Sequence, residues 1–165
     1  MPWRSSKPRP TGSAFDAGLR LLARRAHSRV ELRRKLDRRG YDENDIRGAM
    51  ARLVELGFLD DAAFAEGHVR RRSHSLGPLA LSSELAERGV DRRVASAALE
   101  GFDRPAQVTE AIRLAERLCA VRRPPGYREL LNSVGAKLLR RGYSIGVALE
   151  ACRAVWAGTG EQAAP

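Results

Sequence analysis

One short pattern, centred on an Arg-Gly pair, occurs three times in the sequence and constrains the fold more than any other feature. The glycines are Gly40, Gly89 and Gly142, spaced 49 and 53 residues apart. In each copy an apolar residue lies eight positions before the glycine, a leucine lies four before it, and an Asp or Ser lies two after it. A period of this size is typical of helical repeat arrays. The sequence therefore predicts a tandem array.

Each copy predicts two short helices joined by a turn at the glycine. In the first copy Ser28 and Glu31 have the spacing of a capping box at the start of the earlier helix. Gly40 can adopt the left-handed conformation that closes a helix without a Cβ clash, and Asp42 caps the next helix. The leucines four positions before the glycines are predicted to be buried. The residues that anchor the three copies are Leu36, Gly40, Leu85, Gly89, Leu138 and Gly142.

A further helical pattern precedes each pair, so that each copy becomes a unit of three helices. In the second unit Asp60 is the predicted cap of this helix, and Leu59 and Phe64 have the spacing of a hydrophobic staple. A compact triangle is the natural packing for three such helices. The predicted fold class is therefore all-α, with three tandem three-helix repeats that form an elongated, curved molecule. The predicted bounds of the repeats are 14–58, 59–103 and 104–157, with a disordered basic tail at 1–13 and a disordered tail at 158–165.

Charge is distributed unevenly along the chain. The net charge is +10, and the three predicted units contribute +4, −2 and +6 in that order. Basic ends suit a partner with negative charge, such as a phosphate backbone or an acidic protein groove. No apolar run approaches the length needed to span a bilayer, and the basic N-terminal residues are not followed by the apolar stretch of a secretory signal. We therefore expect a cytoplasmic protein with no membrane partner.

The sequence lacks the common motifs of catalysis. It contains no glycine-rich phosphate loop, no HExxH and no GxSxG. Asp60 and Asp61 are adjacent carboxylates, and helix capping explains them more simply than metal or acid–base chemistry. Cys119 and Cys152 lack CxxC spacing and are interpreted as buried free thiols. We interpret the three histidines as surface or helix-end residues: His27, His68 and His74. We therefore expect no catalytic residue, no cofactor and no metal site.

Clusters of arginine are the best candidates for a binding surface. The leucines fix which side of each short helix is buried, so the interleaved arginines project outward. The candidates for partner binding are Arg24, Arg25, Arg29, Arg33, Arg34, Arg38, Arg70, Arg71, Arg72 and Arg140. For any single one of them, a solvated face is an alternative interpretation. Arg39, Arg88 and Arg141 directly precede the repeated glycines, and this equivalence favours a structural role at the helix C-terminus.

Four phrases of the sequence are specific enough to compare with known families: SRVELRRKLDRRGYDENDI, GFLDDAAFAEGHVRRRSHSLGPLAL, ELAERGVD and KLLRRGYS. Together they resemble the RecX family, the bacterial regulators of the RecA recombinase. The resemblance covers roughly residues 15–155 and is most specific around the Leu-Asp-Asp phrase at residues 59–61. It implies tandem three-helix repeats that bind the helical groove of the RecA filament on single-stranded DNA. It also implies suppression of ATP hydrolysis, strand exchange and co-protease activity.

The leading hypothesis is a non-enzymatic inhibitor, a monomer whose curved array lies in the filament groove and contacts more than one RecA subunit. It would bind mainly protein, with weak contacts to single- or double-stranded DNA through its basic ends. The alternative is a DNA-binding module without RecA involvement, because short three-helix units with a glycine turn are similar to helix-turn-helix proteins. A pure scaffold is a third interpretation, which the charge asymmetry makes less attractive.

Overall fold

A computed structural model describes residues 11–158, and every regular element in that range is helical. The first unit contains α1 (Ala14–Arg24), α2 (Arg29–Arg38) and α3 (Glu43–Glu55). The second contains α4 (Asp61–Arg72), α5 (Pro78–Glu87) and α6 (Arg92–Glu100). The third contains α7 (Arg104–Val121), α8 (Tyr127–Leu130), a π-helical segment (Leu131–Gly135), α9 (Ala136–Arg140) and α10 (Ile145–Gly158). The predicted all-α class is confirmed, and the predicted tails lie mostly outside the described residues.

Glycines and side-chain caps determine where these helices stop and start. The repeated glycines Gly40, Gly89 and Gly142 have φ angles of +87°, +76° and +85°, in the left-handed region that glycine adopts without strain. At the start of α2 the capping box is present, with Ser28 Oγ accepting a hydrogen bond from Glu31 N–H at 3.1 Å. The local sequence therefore accounts for the helix ends around each repeated turn.

Buried side chains form two cores. The first unit has a core of its own, in which Leu32 and Leu36 are fully buried. A second core runs without interruption through the second and third units, from Phe64 to Val155. Leu59, directly before the cap of α4, is buried in the first core and ties the start of the second unit to it. Apolar packing therefore joins the second and third units more extensively than the first and second.

The third unit departs from the pattern of the other two. The sequence predicts a helix over residues 129–141, whereas the structure begins this helix at Tyr127 and includes the π-helical segment. The segment places Gly135 against α10, where a Cβ on this glycine would lie 3.6 Å from Sγ of Cys152. π-helical turns occur mostly as single-turn bulges inside α-helices. Apolar spacing alone does not show where such a bulge falls, so the sequence does not locate it.

The interpretation of His68 as a surface or helix-end residue is wrong. His68 lies within α4 and is 5% exposed, and its Nε2 lies 2.7 Å from Oε2 of Glu84. A single histidine in a helical pattern gives no sign of a partner sixteen residues away. His27 lies between α1 and α2 but is also buried, and burial lowers its pKa. His74 is exposed.

Both cysteines are free thiols, in α7 and α10. Cys152 is buried, and burial raises its pKa to about 11. Cys119 is only half-buried, so the expectation of a buried thiol holds for it in part. Within residues 11–158, no helix combines the length and apolar character needed to cross a membrane.

Candidate anion-binding cleft

The turn at Gly89 in the second unit packs on the start of α2 in the first unit. The Ser28 hydroxyl donates a hydrogen bond to the Arg88 carbonyl, and Nη1 of Arg88 lies 2.8 Å from Oε1 of Glu31. A Cβ on Gly89 would lie 2.5 Å from Cβ of Val30, so only glycine permits this approach. The turn that ends α5 therefore also docks the second unit on the first.

The turn at Gly142 in the third unit packs in the same way on the start of α5. Gly77 N–H donates to the Arg141 carbonyl at 2.7 Å, and Leu79 N–H donates to the Gly142 carbonyl at 3.1 Å. A Cβ on Gly142 would overlap the backbone of Ala80. From the sequence, these glycines are predicted only to end helices. The signal for their second role is the arginine that precedes each of them, since its guanidinium contacts the preceding unit at both boundaries, Arg88 at Glu31 and Arg141 at the Ser75 carbonyl.

A cleft opens at the first of these boundaries. Its volume is about 680 Å³. The residues that line it are Arg25, Ala26, Phe64, His68, Arg71, Arg72, Glu84 and Arg88. The first unit supplies one of the four arginines and the second supplies the other three. Docking of the two units therefore brings together guanidinium groups that are as many as 63 positions apart in the sequence.

Two carboxylates hold three of these arginines in place. Glu31 lies 3.3 Å from Nη1 of Arg25 and 2.8 Å from Nη1 of Arg88, and Glu84 lies 2.8 Å from Nη2 of Arg72. The hydrogen bond from Arg72 holds the pKa of Glu84 below its usual value. Burial acts to raise the pKa of Glu31, but the guanidinium groups of Arg25 and Arg88 outweigh it and the pKa is lowered. Both carboxylates are therefore ionised at neutral pH.

The fourth arginine of the cleft, Arg71, is exposed and has no ion pair with any residue between 11 and 158. Guanidinium groups present a fork of N–H donors that matches the oxygens of phosphate or carboxylate. A free guanidinium beside three oriented ones can bind such a group without first breaking an internal ion pair. The arrangement thus suits an anion more than an apolar ligand.

The remaining arginine candidates lie outside the cleft. They are all exposed: Arg24, Arg29, Arg33, Arg34, Arg38, Arg70 and Arg140. Arg33 is held by an ion pair with Glu43, and Arg70 lines a separate cavity of about 460 Å³ between the second and third units. The structure therefore brings Arg25, Arg71 and Arg72 together and leaves the others dispersed. It adds Arg88, to which the sequence assigns only a structural role.

The acidic and aromatic lining of the cleft is not found by sequence reasoning. Glu84 orients both Arg72 and His68, and Phe64 stacks under the imidazole with ring centroids 6.2 Å apart.

Asp60 acts as the cap of α4 by accepting from two backbone N–H groups, at 2.7 and 3.2 Å. Within residues 11–158, no group of three His, Cys, Asp or Glu side chains is arranged to hold a metal ion.

The fold and the cleft define a tandem three-helix-repeat protein with an arginine-rich cleft at a unit boundary. Family models described as the first and second three-helix domains of RecX match residues 14–53 and 60–99. The chain is 38% identical over 163 residues to the regulatory protein RecX of Mycobacterium sp. (strain JLS), covering 95% of this chain and 89% of that protein. The regulatory protein RecX of Halorhodospira halophila (strain DSM 244 / SL1) is 39% identical over 130 residues, 78% of this chain and 80% of that one.

A solved structure agrees with these sequence relationships. The crystal structure of RecX from Lactobacillus salivarius superposes with a TM-score of 0.78 at 25% identity, covering 87% of this chain and 95% of that chain. The chain belongs to the RecX family of regulatory proteins.

Proposed function

We propose that the protein binds the groove of the RecA filament on single-stranded DNA and inhibits RecA ATPase, strand exchange and co-protease activity. The observation that supports this proposal most is the cleft at the first unit boundary, lined by four arginines of which Arg71 has no ion pair within residues 11–158. Such a site attracts either a DNA phosphate or a carboxylate of the recombinase. The protein acts by occupancy as a cytoplasmic monomer, without catalysis, cofactor or metal.

The array suits this function because each unit is docked on the preceding one. Units at 14–58, 59–103 and 104–157 are joined by two docked turns, which restrict how one unit moves against the next. An elongated, curved array of this kind would contact several RecA subunits and gain effective concentration from each added contact. It would also favour the filament conformation to which it binds and so oppose the rearrangements that turnover and strand pairing require.

The direct test is RecA ATP hydrolysis on single-stranded DNA with this protein added. The wild-type chain should slow hydrolysis at micromolar concentration, and Arg71→Glu should raise the concentration needed for half inhibition by about tenfold, because it places a like charge against the ligand. Arg93→Glu is the matched control, since Arg93 is an exposed arginine on α6 outside the cleft. Its inhibitory concentration should stay within about twofold of wild type. Equal losses in both variants would show that overall charge, not the cleft, is responsible.

Binding to DNA without RecA is the alternative, and the match between guanidinium forks and phosphate favours it. Fluorescence anisotropy with free single- and double-stranded DNA across a salt series distinguishes RecA-filament binding from DNA binding without RecA. Steep salt dependence and loss of binding near physiological salt would indicate only backbone attraction. Tight, sequence-selective binding to naked duplex that persists in salt would replace the RecA proposal with a DNA-binding module.

A further inference from the structure

The three repeated turns have nearly the same backbone geometry. The arginine before the glycine has φ and ψ of −81° and −5° at Arg39, −80° and −2° at Arg88, and −84° and 3° at Arg141. The glycines that follow all have positive φ, between +76° and +87°. The first turn is therefore built like the two that dock one unit on another.

The first turn differs from the others in what covers it. In the second and third units the arginine carbonyl accepts a hydrogen bond from the start of the preceding unit's second helix, given by the Ser28 hydroxyl or by Gly77 N–H. At Arg39 no residue between 11 and 158 donates to this carbonyl, and the side chain is exposed with no ion pair in that range. A docking element of the same shape is thus left open on the first unit.

Within residues 11–158, no turn of another unit docks on the matching surface of the third unit. The N-cap of its second helix is Gly126, which has no side chain, like Gly77 before α5. Glu129 is the third residue of that helix, as Glu31 is the third residue of α2. Glu129 is exposed and has no ion pair with another described residue, and its Oε2 lies 2.6 Å from the position that a Cβ on Gly126 would take. In α2 this position belongs to Glu31, which pairs with Arg88. In the third unit it belongs to Glu129, a carboxylate with no ion pair to another described residue.

We propose that copies of this chain associate head to tail, with the Arg39–Gly40 turn of one copy docked on residues 126–129 of the next. Arg39 and Glu129 would form the counterpart of the ion pair between Arg88 and Glu31. The two surfaces are different, so the contact is heterologous and can extend to further copies without closing. Each contact is small, so a dilute chain stays monomeric, and copies that lie along a common track associate through effective concentration. The assembly of copies along a common track rests on the proposed function, whereas the head-to-tail contact itself does not.

Carbodiimide cross-linking of the full chain alone traps such a weak contact. Arg39→Lys keeps the charge and supplies an amine that can form an amide with a carboxylate in contact with it. Mixing unlabelled and ¹⁵N-labelled protein identifies intermolecular products by mass spectrometry. We expect an intermolecular link between the introduced amine and Glu129. Arg93→Lys, exposed on α6, is the matched control. The yield of its cross-link to Glu129 should be at least about tenfold lower, because no docking brings this amine and Glu129 together.

Charge reversal tests the same contact by a second measurement. The concentration dependence of the sedimentation coefficient should be reduced in Arg39→Glu and in Glu129→Arg, and restored in the double variant, where the pair is reversed. Equal linking to Glu129 in Arg39→Lys and Arg93→Lys, or a double charge-reversal variant no better than the single ones, would overturn head-to-tail docking. Neither experiment contains RecA or DNA, so failure here leaves the ATPase result to decide the proposed function separately.

Discussion

The two unit boundaries use the same turn but are stabilised by different interactions. At the first, the turn is held by side chains, namely the Ser28 hydroxyl and the ion pair between Arg88 and Glu31. At the second, Gly77 N–H and Leu79 N–H donate to backbone carbonyls, and one apolar core continues across the boundary. Backbone hydrogen bonds over a buried core are stronger constraints than partly solvated ion pairs. The first boundary is therefore the softer of the two.

The cleft lies at the softer boundary, which has a functional consequence. An anion bound between Arg25 and Arg71 would bridge the first and second units. Its binding energy would then add to a junction that the chain itself stabilises weakly, and the array would become stiffer when bound. The second boundary needs no such ligand, since the chain already fixes it.

The largest expected effect is at Gly142, where alanine would break the second boundary. Its φ of +85° and the overlap of a Cβ with the Ala80 backbone together should lower the free energy of unfolding by about 4 kcal/mol. Gly57→Ala is the matched control, because Gly57 has a φ of +72° with no atom within 4 Å of a Cβ. It should cost about 1 kcal/mol. Urea denaturation followed by circular dichroism measures both, and equal costs would show that the turn does not dock as described.

Glu31→Gln should have the next largest effect, by weakening the first boundary. Its side chain is 16% exposed and pairs with Arg25 and Arg88, so the neutral amide should lower the free energy of unfolding at pH 7 by about 2 kcal/mol. Glu43→Gln is the control, since that carboxylate is 60% exposed in its pair with Arg33. It should change stability by less than about 0.5 kcal/mol.

The pH dependence of the Glu31 effect has a definite sign. The folded-state pKa of Glu31 is below the ordinary value of 4.5, so its stabilising contribution is present above that value and is lost as pH falls through the folded pKa. The difference between wild type and Glu31→Gln should thus be constant near neutrality and shrink below pH 4.5. A difference that grew on acidification would contradict the ion-pair account of the boundary.

The sequence predicts the helix ends well and the docking of the units poorly, for a physical reason. Capping, glycine conformation and apolar spacing are local, so residues such as Ser28, Glu31 and Gly40 are enough to mark helix ends. The cleft depends on how one unit is rotated against another, and nothing near Arg25 in the chain indicates that Arg71 will lie beside it. Arginine clusters show that a basic surface exists, but only tertiary packing decides which members share a space.

The smallest expected effect is a local difference in opening free energy between the units, which hydrogen exchange measures. Because the first unit has a separate core, amides of α2 and α3 should exchange through openings that cost about 1–2 kcal/mol less than those of α7 and α10. Glu31→Gln should increase this difference in opening free energy, because it destabilises the first unit and leaves α10 unchanged. Adding RecA filaments should decrease the difference, because a ligand that bridges the cleft stabilises the docked first and second units. Uniform protection across all three units would mean that the array unfolds as one body and that the boundaries do not differ.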